Sequence, residues 1–171
     1  MRAVCARGRY RIRAPMELSY LTLKTIHILG SILFVGNIVV TALWKAMADR
    51  TKAADIIAFA QRLVTITDFA FTGIGAALVL VTGLLMAGTY DASWWKVGWI
   101  AWGLGLFTAS GTIWAVVLIP IQVKQSKLTK NLSGGEVPKD YWRLGRLWLI
   151  WGMIATILPL INIYFMVFKP T

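Results

Sequence analysis

The chain has 171 residues, 58% of them hydrophobic, with a mean hydropathy of +0.68 and a formal charge of +11. That composition excludes a soluble globular domain. The positive residues sit in loops and at helix ends, where no stretch combines length, basic charge and exposed aromatics, so nucleic acid is excluded as a partner. The one cysteine, Cys5, leaves no intrachain disulfide and no cysteine metal cluster to form.

Residues 1–15 hold five Arg and no acid, then meet Met16. The tail reads either as a mis-assigned start, with the natural one at Met16, or as a basic arm on anionic lipid. Residues 16–171 form a single membrane domain. Thr25–Trp44, Phe69–Tyr90, Val97–Val123 and Leu147–Phe168 carry no Asp, Glu, Lys or Arg. Each is long enough, at about 1.5 Å per residue, to cross the ~30 Å hydrocarbon layer. The expected fold is all-α, a four-helix transmembrane bundle with spans near 18–44, 69–90, 96–123 and 146–168.

Span one closes on Trp44–Lys45, an aromatic and a cation suited to a membrane interface. Thr51–Thr67 is amphipathic, with Ile56, Ile57, Ala60, Leu63, Val64 and Thr67 at helical spacing and Asp55, Gln61 and Arg62 facing away. It lies on the cytoplasmic surface or extends span two inward. Asp68 then stands at a helix N-terminus, favourable for a carboxylate, and within reach of Lys45, Lys124 or Arg146. Tyr90, Trp94, Trp95 and Trp99 gather as an aromatic belt around the short second loop. Span three runs to Pro120, and the third loop turns at Ser133-Gly134-Gly135 and Pro138. Pro159 removes a backbone hydrogen bond inside span four and predicts a kink. Asn162, one turn on, is placed to satisfy the freed carbonyl.

The first and third loops with their flanks carry ten cations, against Lys96 and Lys169 on the other side once the tail and Lys24 inside span one are set aside, or seven with the tail. The positive-inside rule then puts both termini in the periplasm of a bacterial inner membrane. Small residues recur every four positions at Ala101, Gly105 and Ala109 on span three, and at Gly73 with Ala77 and Gly83 with Ala87 on span two. This spacing lets helix backbones approach closely, inside the bundle or against a partner protein or second copy. Asn37, Asp68 and Asn162 are intramembrane polar groups that can bond across helices.

His27 is the only histidine. It shares a helix face with Lys24, Gly30, Ser31 and Phe34. A neutral imidazole beside small residues suits an axial haem ligand with room for the ring. It also suits a histidine hydrogen-bonded to the next helix. No phosphate loop, nucleophile elbow or zinc motif is present.

Leu23-Lys24-x-x-His27-Ile28, Gly36, Trp44, Asp68-Phe69-x-Phe71-Thr72, Gly83, Pro120-x-Gln122, Tyr141 and Trp151-Gly152 resemble the landmarks of a bacterial family of four-span membrane proteins of unknown function. The resemblance covers nearly all of 16–169 and implies the four-span fold. It also implies a superfamily tie to the membrane domain of copper-resistance protein D and to HemJ-type protoporphyrinogen oxidases. In the latter a Lys-x-x-His motif is implicated in haem b binding. Here Phe34 and apolar residues replace the tryptophan and arginine that follow that motif. Two expectations stand side by side: a small non-catalytic accessory subunit among membrane lipids and partners, and a haem b protein or redox enzyme with His27 as ligand. A copper-transport role stands behind them, with few ligands to support it.

Overall fold

The structure, a computed structural model, describes residues 14–90, 93–130, 132 and 135–170, without the side chains of 14–18 and 90. The tail to residue 13 with Cys5, the Met16 and Tyr90 side chains, and the Ser133-Gly134 turn lie outside the described residues.

Four apolar rods are long enough to cross a membrane: Ser19–Thr51, Ala54–Thr89, Gly98–Thr129 and Lys139–Phe168. Their elements are α1 (Ala14–Thr51), α2 (Ala54–Thr67), α3 (Ile74–Tyr90), α4 (Gly98–Ile113), α5 (Ile119–Thr129) and α6 (Lys139–Phe168). A π-helical turn at Asp68–Gly73 joins α2 to α3, and another at Trp114–Leu118 joins α4 to α5. Pro120 accounts for the second: it offers no N–H to the carbonyl four residues back, so the turn before it widens. Span three therefore does not stop at Pro120 but continues to Thr129.

The rods are longer than charge-free runs imply because the ends that carry Lys45, Gln61, Gln125 and Tyr141 bury polar side chains against one another. Lys45 is 3% exposed, so it does not end span one at the interface; α1 runs on to Thr51. There Lys52 takes a left-handed φ of 53° and stops the helix. α2 extends span two inward, burying Ala54, Ile57, Ala60, Gln61, Val64 and Thr67. Gln61 does not face away; it is fully buried. Asp68 is not at a helix N-terminus but inside a continuous rod.

The rods pack as two pairs, α1 with α3 and α4 with α6, and α2 meets α5 at the end where Lys45 is buried. The first pair is tight because of two glycines. A Cβ on Gly75 would stand 2.8 Å from the Phe34 nitrogen and 2.9 Å from the Gly30 oxygen, and one on Gly30 3.0 Å from Leu78 Cβ. The second pair meets at Gly103 on α4, which faces Asn162 and Met166 on α6.

Pro159 is buried and α6 continues through it. The carbonyl it frees is that of Ala155, four residues earlier. Ser110 on α4 donates its hydroxyl there at 2.7 Å. The compensation thus comes from Ser110 and not from Asn162, whose Oδ1 is buried without a partner among the described residues. Ser110→Ala should cost about 0.6–1.7 kcal/mol, the range for intramembrane hydrogen bonds. Asn162→Leu should cost no more than that, because no hydrogen bond to its carbonyl oxygen is broken. Unfolding midpoints of the two variants in mixed micelles check the order.

Candidate intramembrane site

Two buried polar clusters occupy one half of the bundle. The first surrounds Lys45. Its Nζ donates to Gln61 Oε1 at 2.9 Å and to Tyr141 Oη at 2.6 Å, and lies 3.6 Å from Asp49 Oδ2. Tyr141 Oη donates in turn to Asp49 Oδ1 at 2.6 Å. Its ring sits 4.6 Å from Nζ. Gln125 Nε2 reaches the Tyr141 carbonyl at 3.4 Å. Residues from α1, α2, α5 and α6 meet here, which places the first and third loops at one end of the bundle.

The second cluster surrounds Asp68, 6% exposed. Asn37 Nδ2 donates to Asp68 Oδ1 at 3.2 Å, to Thr72 Oγ1 at 2.9 Å and to the Thr67 carbonyl at 3.2 Å. Thr72 donates to Oδ1 at 3.3 Å, and Gln122 Nε2 donates to Oδ2. The expected pairing of Asp68 with Lys45, Lys124 or Arg146 does not form. Lys45 pairs with Asp49, one turn along its own helix, while Lys124 and Arg146 are exposed.

Above Asp68 the two helix pairs part and leave a cleft of about 740 Å³. Phe34 and Leu80 stand on one wall, Phe107 and Ile157 on the other, and Asp68, Thr72 and Gln122 at the floor. Both π-helical turns border it, and Phe69 on one lies 6.2 Å from Trp114 on the other. Wide turns of this kind recur at functional sites.

His27 lies elsewhere. Its Nδ1 is 3.0 Å from Thr82 Oγ1, and Thr82 donates its own proton to the Leu78 carbonyl, so the imidazole N–H is the donor to Thr82. A Cβ on Gly83 would meet His27 Cε1 at 3.1 Å. Ser31 donates to the His27 carbonyl at 2.8 Å within its helix, and Lys24 is exposed. Gly30 is closed off by Leu78 and the Gly75 carbonyl. The space beside Gly30 is thus filled by α3, and His27 does not line the cleft. These residues do not fit a haem face. His27→Ala should cost about 0.6 kcal/mol, one interhelical hydrogen bond. Its unfolding midpoint and that of Thr82→Ala should agree.

The small-residue stripes divide. Gly83 and Ala87 pack inside, at His27 and in the buried core. Gly73 approaches Trp114, and Ala77 is exposed at the cleft. Ala101, Gly105 and Ala109 point away from the bundle, and nothing lies within 4 Å of a Cβ on Gly105. At the opposite end of the bundle Trp94 and Trp95 meet edge to face, and Lys169 Nζ lies 5.2 Å from the Trp99 ring. Sequence spacing missed Gln61, Gln125 and Tyr141 as cluster members. Two carboxamides and a phenol near the ends of apolar rods were the available signal.

Four long apolar rods, paired through buried polar clusters, define a polytopic helical integral membrane protein. The family model of the predicted integral membrane proteins DUF2269 matches residues 21–170, and the chain belongs to that family. No curated protein and no solved structure matches it.

Proposed function

We propose that the chain is a small non-catalytic subunit of a membrane assembly, docking through the outward face of α4. The observation that carries this reading is the exposed Ala101–Gly105–Ala109 stripe. In a bilayer, lipid tails solvate apolar side chains well, so small residues on a lipid-facing surface gain little there. Against another helix they permit close backbone approach and dispersion contacts. The bundle's own seams use Gly30, Gly75 and Gly103 instead, so the stripe is left over from internal packing. The reading includes a bacterial inner-membrane location with loops one and three in the cytoplasm and both termini outside, resting on the cation count. A tie to copper-resistance protein D and HemJ-type proteins adds to this reading through the four-span fold alone. The haem alternative loses support from the packed seam at Gly30.

Gly105→Leu tests the proposal. Extracted gently from native membranes, the wild-type chain should elute in an assembly well above its own 19.0 kDa. The variant should elute as a single chain with an unchanged unfolding midpoint. Retention of the assembly by Gly105→Leu would refute docking through α4.

A further inference from the structure

We propose that the cleft between the helix pairs binds a lipophilic organic cation, with Asp68 as its counter-charge. The cleft's volume, about 740 Å³, lies within the range that holds small molecules. It borders on the exposed side chains of Leu80 and Ile157, so a guest enters from the hydrocarbon layer and must itself be lipophilic.

The floor sets the sign of the guest's charge. Among the described residues the hydrogen-bond partners of Asp68 are all neutral: Asn37, Thr72 and Gln122. The cation nearest in the polar core, Lys45, is committed to Asp49, Gln61 and Tyr141. The other cations of α1, α2, α5 and α6, which are Lys24, Arg50, Arg62, Lys124, Lys127, Lys139, Arg143 and Arg146, are exposed, as are Asp55 and Asp140. A carboxyl group held this deep in apolar surroundings stays charged only beside a cation; otherwise it takes up a proton. Three donors occupy its two oxygens, which leaves acceptor capacity for a guest. An anion would meet acceptor oxygens and no buried cation free to pair with it. A neutral apolar molecule would gain nothing from the floor.

The walls fit the same guest. Phe34, Phe107, Trp114 and Trp148 all line the cleft. Their ring faces attract a cation with delocalised charge and bury its apolar body. The guest therefore sets its charge beside Asp68 and its apolar body against the aromatic walls. This site is separate from the outward face of α4, so it stands or falls independently of the assembly.

Tetraphenylphosphonium is the probe, measured by equilibrium dialysis against the whole chain in nanodiscs. Tetraphenylborate, similar in shape and opposite in charge, is the second arm. The wild-type chain should bind the phosphonium saturably at one site and the borate at least tenfold more weakly. Asp68→Asn keeps the size and removes the charge; it should weaken phosphonium binding at least tenfold. Gly111→Leu fills the cleft from a wall position where a Cβ meets nothing within 4 Å. It should weaken binding likewise with the fold intact, and it carries the test if Asp68→Asn does not fold. Equal affinity for phosphonium and borate, wild-type affinity in Gly111→Leu or a folded Asp68→Asn, or no saturable binding would each overturn the proposal.

Discussion

Tyr141→Ala is expected to lower the stability of the bundle by about 3–5 kcal/mol, the largest single-residue effect in the molecule. Tyr141 is 1% exposed and its hydroxyl joins Lys45 to Asp49 at 2.6 Å on each side. Truncation removes a fully packed ring, opens a cavity among four helices and strips a buried ammonium of one of its acceptors. Tyr141→Phe keeps the ring and loses only the hydroxyl, so it should cost about 1–3 kcal/mol. Reversible unfolding in mixed micelles measures both. Equal losses in the two variants would mean that the hydroxyl, and not the packing, sustains the cluster.

The second large effect is expected at the α1–α3 seam. A side chain on Gly75 meets backbone atoms, the Phe34 nitrogen and the Gly30 oxygen, both under 3.0 Å from the ideal Cβ position. Backbone cannot swing aside as a flexible side chain can, so Gly75→Val must push the helices apart. Overpacking of this kind costs about 1–3 kcal/mol. The separation should also loosen the bond between His27 and Thr82 further along the same seam. Gly36→Val is the control, since nothing lies within 4 Å of a Cβ there. The histidine ring resonances report the seam: they should shift in Gly75→Val and stay in Gly36→Val. Wild-type stability in Gly75→Val would contradict the close approach.

Much of this architecture is legible in composition. Charge-free runs mark the four spans, because bilayer thickness fixes the length of an apolar helix. The amphipathic spacing of Ile57, Ala60 and Val64 marks the buried face of α2. What periodicity cannot supply is which face meets which. It reports neighbours on one helix, whereas Lys45, Gln61 and Tyr141 come from three. Lys45 reads as a snorkelling end residue because its partners are distant in sequence. Four-residue stripes are equally visible whether they face a neighbour or lipid. The seam-forming Gly30 and Gly75 belong to no such stripe, while Ala101–Gly105–Ala109 faces outward. The freed carbonyl of Ala155 is predictable from Pro159, but its donor, Ser110, depends on the register of α4 against α6. The π-helical turn at Trp114–Leu118 borders the cleft, and Pro120 is the local signal for that turn in the sequence.

Site-specific photocrosslinking at position 105 in native membranes tests the central claim, docking through α4, most directly. A photoreactive residue at Gly105 should form a discrete protein adduct. The same residue at Leu43 of α1, also exposed, should label lipid alone. Lipid-only labelling at both positions would contradict the account.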